Sequence, residues 1–597
     1  LTAFGGYLSI GIYSSGNPVL TSLTGLDNVT SIGEFLYIVN NAALTSLTGL
    51  ENVTSIGGDL RIYNNATLTG LTGLEKVTFI EKYLAIGGND ALTSLTGLEN
   101  VTSIGGSLWI ESNDALTSLT GIENVTSMGG LSISFNNALT SLTGIENVTS
   151  IGAILLIRGN PALTSLTALE NITSIGGLEI HHNDALTSLT GLDNVTSIGG
   201  ILIRDNDALT SLTGLDNVTS IEGSLWIRGN PALTSITGLN NAISIGQYIK
   251  IENNDALISL TALENVTTFG GYIEIRDNEA LTSLTGLDNM TSIWVCVEIE
   301  NNAALTSLTG LENMTSIGGL LYIVNNNALT SLTGLDNMTS IDGYIEIRDN
   351  AALTSLSALN SVTFIWGYIE IENNATLTSL TGLENVTSIG GHLWIRGNDA
   401  LTSLTGLENV TSIGGSLRIE NNAALVSLTS LENVTSIVGL LYIDNNDALT
   451  SLAGLDNIDA ASINDLYIYY NNSLSTCEVQ SICDFLASPN GDIYISDNAP
   501  GCNSPEEVEA ACEVGVPNIN YESEFSIYPN PAKKEIFISV RNGAIIKDVN
   551  IYNQIGQKVL SEKRITHIID VSMLRQGIYI IELVSNEWKI REKLLIR

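Results

Sequence analysis

A segment of about two dozen residues recurs along most of the chain, and this repeat restricts the possible folds more than any other feature. Each copy contains a leucine that opens an "LTSL"-like tetrapeptide, from Leu20 to Leu474, which we call the marker leucine. Twenty marker leucines give nineteen intervals, of which fifteen are 24 residues long, three are 23 and one is 25. A short repeat of nearly constant length is typical of a solenoid, in which each coil contacts only its neighbours.

The pattern inside one coil favours β-structure. In the coil from Ile104 to Met128, Leu108-Trp109-Ile110 alternates with period 2, which predicts a strand with Leu108 and Ile110 inward. The other apolar residues recur at every third position, which suits turns and short extended segments better than an α-helix. We therefore expect a mostly-β, parallel β-solenoid of about twenty coils, with one firm strand per coil and a second short strand near "VTSI".

Asparagine occupies the position three residues before the marker leucine in all twenty coils, from Asn17 and Asn41 to Asn471. An inward-turned asparagine at a corner can bond backbone groups of its own coil and of the next one. The sequence therefore predicts a stacked ladder of buried amides.

The repeats, residues 1–474, end in a segment that we interpret as a cap, residues 475–513. The chain predicts two short helices there and a last strand at "DIYIS". Four cysteines indicate two disulfides and an oxidising compartment, with three connectivities open. A four-cysteine zinc site is the alternative, but the paired spacing of zinc folds is missing. The cysteines are Cys477, Cys483, Cys502 and Cys512.

A linker, residues 514–524, leads to a region of different composition, residues 525–597. Several alternating strands predict a small β-sandwich there. Residues 518–597 hold 12 Lys and Arg against 9 Asp and Glu, which is +3, and the remainder of the chain is 11 against 54, or −43. Two domains of opposite charge balance are therefore expected.

The repeat resembles known solenoids. The string "IGG-x-L-x-I-x-x-N" followed by "L-x-x-L-x-x-L-x-N-V-x-x-I" is close to the leucine-rich repeat and closer to the receptor L domain, over residues 1 to about 475. The resemblance implies a right-handed β-helical solenoid of the kind found in receptor ectodomains and microbial surface proteins. Receptor L domains have few coils, whereas this array is longer and more regular.

The C-terminal region resembles the sorting domain of the type IX secretion system. The matching blocks are "YPNPAKKEIFI", "VNIYNQIGQKVL", "IDVSMLRQGIYIIEL" and a terminal "KLLIR". The resemblance implies contact with the secretion machinery and a location outside a Gram-negative cell, secreted or on its surface. An ordinary immunoglobulin-like module is the alternative. The motif residues are Tyr528, Pro529, Asn530, Pro531, Gly577 and Tyr579.

Several functional classes are disfavoured. A net charge of −40 argues against nucleic acid as a partner, and no run of 18 apolar residues suggests a membrane span. His181 and His182 are adjacent outward residues and His392 lies far from them, so no catalytic triad is indicated. We expect a non-enzymatic protein without a cofactor. Because the chain starts at Leu1, we also expect it to be processed or a fragment.

An acidic column is one of two features that could carry function. Asp or Glu stands seven residues after the marker leucine in 17 of 19 coils. Such a column favours cations, Ca²⁺ being the extracellular candidate, although a solvated acidic edge is the simpler interpretation. The candidate ligands are Glu99, Glu123, Glu146 and Glu170.

The second feature is the set of outward strand residues, which vary while the rest of the coil barely changes. Exposed aromatic and arginine side chains on a rigid sheet are typical of recognition surfaces. Strand-favouring aromatics and cross-strand pairs such as Arg276 with Glu300 are the alternative explanation. The candidate binding residues are Tyr37, Trp109, Arg158, Arg204, Trp226, Arg228, Tyr248, Tyr272, Arg276, Tyr322, Tyr344, Arg348, Tyr368, Trp394, Arg396 and Tyr442.

We therefore predict a secreted surface protein that binds a polysaccharide or protein ligand, as an adhesin does, on its variable face. A self-associating coat or filament protein is the alternative. Ice binding through outward threonines such as Thr21, Thr45 and Thr69 ranks below both, because these residues lie on bent segments.

Overall fold

The alternating segment of each coil forms a β-strand, and successive strands pair in parallel along the chain. In the computed structural model, Leu108 and Ile110 pair with Leu131 and Ile133 of the next coil. Like residues therefore stack on like, inward in apolar columns and outward in rows. The strands of this long sheet are Leu8–Ile10, Leu36–Val39, Leu60–Tyr63, Leu84–Gly87, Ser107–Glu111, Gly130–Ser134, Ile151–Arg158, Ser174–His181, Ile201–Arg204, Leu225–Arg228, Ile249–Glu252, Ile273–Arg276, Cys296–Glu300, Leu320–Val324, Ile345–Arg348, Ile369–Glu372, Leu393–Arg396, Leu417–Glu420, Gly439–Asp444, Ile463–Tyr469 and Ile493–Ser496.

The structure describes residues 2–12, 14–514, 525–540, 546–553, 556–563, 568–584 and 589–597. Contacts divide the chain into two units, Leu1–Cys512 and Glu513–Arg597. The first is a parallel β-solenoid of about 21 turns, which confirms the predicted fold class. The predicted linker lies largely outside the described residues.

A second, short strand precedes the long one in most coils, as expected at "VTSI". In two coils it merges with the long strand, giving the eight-residue strands Ile151–Arg158 and Ser174–His181. The separate short strands are Ala3–Phe4, Ser31–Ile32, Ser55–Ile56, Phe79–Ile80, Ser103–Ile104, Ser197–Ile198, Ser220–Ile221, Ser244–Ile245, Thr268–Phe269, Ser292–Ile293, Ser316–Ile317, Ser340–Ile341, Phe364–Ile365, Ser388–Ile389, Ser412–Ile413 and Ser436–Ile437.

One continuous apolar core fills the solenoid. All eight apolar residues of the coil from Ile104 to Met128 are at most 5% exposed. The marker leucines from Leu44 onward are fully buried. Stacking lets each coil bury residues that it could not cover alone.

The asparagines three residues before the marker leucine form the predicted ladder. Asn254 Nδ2 donates to the Ile227 carbonyl of the preceding coil at 3.1 Å, and Asn254 Oδ1 accepts from the Asn230 backbone N–H at 3.2 Å. Ladder asparagines from Asn41 to Asn471 are fully buried. The ladder runs on to Asn498, beyond the last marker leucine.

A cap closes the C-terminal end of this core. It contains the helices Gln480–Ala487 and Pro505–Val514, and Ile482 and Phe485 of the first helix are buried in the solenoid core. The predicted disulfides are present, as Cys477–Cys502 and Cys483–Cys512, so the zinc alternative was wrong. Five short 3₁₀ helices lie within the coils, at Thr167–Leu169, Thr261–Leu263, Ser357–Leu359, Thr429–Leu431 and Ala460–Ser462.

The second unit contains two antiparallel sheets around a separate apolar core. Its sequence predicts all of these strands except Lys558–Lys563, in which polar and charged residues obscure the alternation. One sheet comprises Phe525–Tyr528, Glu535–Val540 and Ile568–Asp570, and the other comprises Asp548–Tyr552, Lys558–Lys563, Gly577–Val584 and Lys589–Ile596.

Candidate ligand-binding face

The outward residues of the long sheet form three rows that run along the solenoid. Positions nine, seven and five residues before the marker leucine make the first, second and third row. In the strand Ser107–Glu111 these positions are Ser107, Trp109 and Glu111. Neighbouring rows lie about 6.6 Å apart, because a strand rises about 3.3 Å per residue.

Between two pairs of aromatic side chains, the face is hollowed into a groove. Two adjoining depressions of about 460 and 400 Å³ form the groove, and Ile154 and Glu179 line both. Trp109 borders one end, and Trp226 and Tyr248 border the other. The strands from the Trp109 coil to the Trp226 coil make five steps of about 4.8 Å, so the groove is about 24 Å long.

Shortened coils produce the groove. All three 23-residue intervals fall between Leu116 and Leu209, and each lacks the residue between the glycine pair and the strand. As a result Gly130, Gly177 and Gly200 occupy the first row, and all three line the groove. Without a side chain at these positions the face is recessed on both sides of Ile154, which stands in the same row and is 47% exposed.

The floor of the groove combines apolar and polar side chains. In the second row, Ser132 and Glu179 alternate with Leu156 and Leu202, and all four are half-buried. At the Trp226 end, Ser224 Oγ donates to Gln247 Oε1 at 3.2 Å. Such a floor offers apolar area together with a few hydrogen-bonding groups, as small-molecule sites do.

The aromatic side chains at both ends are held in place by neighbours. Trp109 is 40% exposed, and its ring stacks on Tyr83 with centroids 5.2 Å apart. Trp226 Nε1 donates to Glu252 Oε1 at 2.7 Å, and Lys250 Nζ lies 5.0 Å from the centre of the Trp226 ring. Rings fixed in this way lose little freedom when a ligand packs on them.

Beside the groove, the third row carries four basic residues in consecutive coils. In the strand register, Arg158 stands beside His181, His181 beside Arg204, and Arg204 beside Arg228. His181, which the sequence places outward, is only 3% exposed. Burial, together with Arg204, Arg158 and His182, lowers its pKa from 6.5 to about 4, against the opposing effect of Asp205.

These four basic residues differ in their partners. Arg204 Nη1 lies 2.7 Å from Asp205 Oδ2, whereas the Arg158 guanidinium lies over the Phe135 ring at 4.8 Å. Arg228 is exposed. Within the described part of the chain, Arg158 and Arg228 have no carboxylate at ion-pair distance.

Beyond the groove, basic residues of the face are already paired with acidic ones. Arg276 binds Glu252 at 2.6 Å and Glu274 at 2.9 Å, rather than Glu300 as the sequence suggested. The reason is that several carboxylates lie within reach of this guanidinium, including Asp277 at 3.9 Å. The other pairs include Lys250–Glu274, Arg348–Glu346, Arg396–Glu372 and Arg418–Glu420.

The predicted binding residues therefore fall into two groups. Trp109, Arg158, Arg204, Trp226, Arg228 and Tyr248 lie at or beside the groove. The others stack on one another or pair with charged neighbours elsewhere on the face, and ligand binding by either group stays a prediction. The second group contains Tyr37, Tyr272, Arg276, Tyr322, Tyr344, Arg348, Tyr368, Trp394, Arg396 and Tyr442.

The sequence analysis selected large outward side chains as binding residues and did not predict the groove, which forms where such side chains are missing. The groove exists because glycine occupies the first row in three coils, on both sides of Ile154, and the clustering of the three short intervals was the available signal. It also missed Trp294 and Trp366, which are 77% and 66% exposed at the glycine corner. Tryptophan in place of a corner glycine marks both positions.

The acidic column has a local structural role. Glu99, Glu123 and Glu146 each accept the backbone N–H of the glycine two residues earlier, at 2.9 to 3.1 Å. Glu170 follows Ala168 at that position and ends a 3₁₀ helix instead. The described residues include no group of three or more histidine, cysteine or acidic side chains placed to hold a metal ion. Calcium binding stays a prediction, testable by melting with and without chelator.

The sorting motif residues connect the start of the second unit to its last strand through hydrogen bonds. Asn530 Nδ2 donates to the Lys593 carbonyl at 2.8 Å, and Asn530 Oδ1 accepts from the Leu595 N–H at 2.9 Å. Tyr528 stacks on Phe537, Pro529 and Pro531 flank Asn530, and Gly577 begins the strand that contains Tyr579. The motif thus pins the segment after the first strand against the last strand.

Comparison with known proteins matches three regions of the chain to family models. The BspA type leucine-rich repeat region matches in six copies, over residues 8–140, 61–178 and 158–276. The receptor L domain matches residues 409–512, and the secretion system C-terminal sorting domain matches residues 526–597. No curated protein matches the chain.

These matches carry information about location and class. The sorting domain marks the protein as secreted. No helix among the described residues is long and apolar enough to cross a membrane. Solenoids of this kind are typical of non-enzymatic binding proteins. The chain is thus similar to BspA type leucine-rich repeats over residues 8–276, to the receptor L domain over residues 409–512 and to the type IX secretion sorting domain over residues 526–597.

Proposed function

We propose that this secreted protein binds an extracellular polysaccharide in the groove between Trp109 and Trp226. The observation that carries the proposal is the pair of adjoining depressions that together span about 24 Å, or five coil-to-coil steps, with an aromatic ring at each end. Its length suits a chain of several linked sugars rather than one sugar.

The groove offers the two kinds of contact that a sugar needs. The C–H faces of sugar rings pack on aromatic and aliphatic surfaces, here Trp109, Trp226 and the half-buried Leu156 and Leu202. Sugar hydroxyls exchange hydrogen bonds with groups such as Glu179 and Gln247, which line the same recess. A shallow, partly polar recess with fixed rings favours a polysaccharide over an apolar peptide.

The test is binding of the full chain to an array of bacterial, plant and algal polysaccharides, followed by titration of each one that binds. Trp109→Ala and Trp226→Ala should each weaken binding about tenfold or more, because each removes an aromatic contact worth roughly 1–3 kcal/mol. Trp366→Ala is the matched control, since Trp366 is exposed outside the groove.

Two results would contradict the proposal. One is binding that both groove variants retain, or that Trp366→Ala weakens equally. The other is an array without any bound polysaccharide. In that case, ordered polymers of the secreted protein in electron micrographs would favour the coat or filament alternative.

A further inference from the structure

We infer that the polysaccharide is anionic and that Arg158 and Arg228 hold its carboxylate or sulfate groups. This inference rests on the groove being the polysaccharide site proposed above. In this inference the third row, which lies about 6.6 Å from the groove floor, recognises the negative charges of the polysaccharide.

The order of basic and acidic residues along the third row differs between the groove and the rest of the face. From Glu252 onward the row places Glu or Asp next to most of its arginines, as in Arg276–Glu300 and Arg348–Glu372. Beside the groove, by contrast, four basic residues follow one another without an acidic residue in the row. Arg204 and Arg228 stand in adjacent coils, and in the part of the chain that the structure describes only Arg204 of these two has a carboxylate, Asp205, at ion-pair distance. An anionic ligand would therefore lower the repulsion between them.

The acidic side chain opposite Arg228 is already engaged by other residues. Glu252 stands opposite Arg228 in the register. Its Oε1 accepts from Trp226 Nε1 at 2.7 Å and its Oε2 from Arg276 Nε at 2.8 Å. Arg228 is exposed and, within the described part of the chain, has no carboxylate at ion-pair distance, which leaves it available to a ligand.

A buried polar atom, His181 Nδ1, lies in the third row beside the groove. His181 lies between Arg158 and Arg204, is 3% exposed, and its Nδ1 has no hydrogen-bond partner among the described residues. A buried nitrogen of this kind normally finds a partner. His181 thus separates the Arg158 and Arg204 side chains without offering a carboxylate to either of them.

The arrangement is unusual for the molecule as a whole. Residues 1–517 carry 11 basic and 54 acidic side chains, yet Glu179 is the one acidic residue that lines the groove. A polyanion would be repelled by most of the solenoid surface and attracted at this site. The ligand's charge thus helps to select the groove over the rest of the face.

The experiment compares polysaccharides that share a backbone and differ in charge. Dextran and laminarin are titrated against dextran sulfate, carboxymethyl-dextran and laminarin sulfate, using the full chain. The charged forms should bind at least tenfold more tightly than their neutral parents, and the difference should shrink as salt rises. Sulfate and carboxymethyl forms show which anion the site prefers.

Variants locate the effect. Arg228→Gln and Arg158→Gln should each lower affinity for the charged forms about tenfold, because each removes a charge-assisted hydrogen bond, and leave neutral binding unchanged. Lys82→Gln removes one charge from an exposed site outside the groove and should have little effect. Thermal melting checks the fold of each variant, and Arg228, being exposed, carries the test if Arg158→Gln fails to fold.

The outcomes separate the two proposals. Equal affinity for neutral and charged forms, or charged binding that Arg228→Gln leaves intact, overturns the anionic ligand while Trp109 dependence upholds the groove. Absence of binding, or binding independent of Trp109 and Trp226, overturns both.

Discussion

At the scale of the residue, one buried asparagine per coil joins three stretches of backbone. Asn254 donates to carbonyls of Ile227 and Glu252 and accepts from the N–H of Asn230. Asn254 Oδ1 also accepts from Asn230 Nδ2, and one of the two Nδ2 hydrogens of Asn254 is shared with Asn278 Oδ1, so the side-chain amides form a continuous chain. Each bond is shielded from water, and removing one side chain leaves several polar groups without partners.

Asn254→Ala should therefore destabilise the solenoid by about 3 kcal/mol or more, because backbone groups of two coils lose their partners in a buried site. Asn265→Ala is the matched control in the following turn. Asn265 also bonds one carbonyl of the preceding coil, that of Asn240, but it is exposed and water can replace it. Thermal melting and hydrogen exchange of the Asn230 amide measure the effect. Equal losses for the two variants would refute the role of burial.

Stability should also fall on acidification because of His181. The folded chain binds a proton at His181 with a pKa of about 4, whereas the unfolded chain binds it near 6.5. Between these values the unfolded state holds more protons, so this contribution to stability is complete above pH 6.5 and is lost towards pH 4. His181→Gln should show a smaller loss over this range in pH-dependent melting. A His181 resonance that titrates at pH 6.5 or above would contradict the prediction.

At the scale of the element, the turn after the marker leucine occurs in two forms. Most coils have a glycine there with φ near +115°, as at Gly121, where a Cβ atom would meet the backbone of Leu95 in the preceding coil. Four coils carry Ala or Ser at this position, for example Ala168, and form a 3₁₀ helix instead. The chain therefore already contains the alternative to the glycine turn.

Gly121→Ala should fold and should convert its turn to the 3₁₀ form, because alanine is strained at positive φ and its Cβ would meet the Leu95 backbone. The expected cost is about 1–2 kcal/mol. Glu123 would then lose its bond to the backbone N–H of residue 121. Hydrogen exchange at residue 121 and thermal melting report both changes. Ala168→Gly is the reverse control, with an expected gain of the Glu170 bond. An unfolded Gly121→Ala array would disprove the interchange.

The coil could be derived from sequence because its information repeats. A buried position such as Leu116 or Asn113 recurs in nearly every coil, and the same residue type therefore marks the same environment. Side-chain pairing on the face has no such repetition: Arg276 lies near Glu252, Glu274 and Glu300, and only the rotamers decide which of them it binds. The groove likewise depends on three absent residues, whose effect appears only when coils are stacked.

At the scale of the whole molecule, two units with separate cores share one chain. The solenoid core runs from Leu23 to Val508, and the core of the second unit is formed by residues from Ala532 to Ile596. Within the second unit, Glu582 is buried, which raises its pKa, but hydrogen bonds from Lys589, Arg591 and two other residues lower it to about 2. Each unit therefore has its own apolar and polar contacts.

Removal of residues 525–597 should abolish secretion and leave the melting of the solenoid unchanged. The first result follows from the sorting domain, and the second from the separate cores. The measurements are the secreted fraction in culture medium and the calorimetric profile of the purified solenoid. A solenoid melting point that drops by several degrees would show that the units depend on each other.

The sameness of the junctions between coils has a consequence for how such a gene changes. Each coil presents the same ladder asparagine and marker leucine to the next coil. A DNA segment that encodes 24 residues can therefore be duplicated or deleted by recombination, and the coils on both sides of the change still fit together. Inheritance then acts on whole coils. The groove results from one missing codon in each of three coils. Recombination that copies, moves or removes these coils could therefore duplicate, shift or erase the groove in one event, while the remaining chain continues to fold.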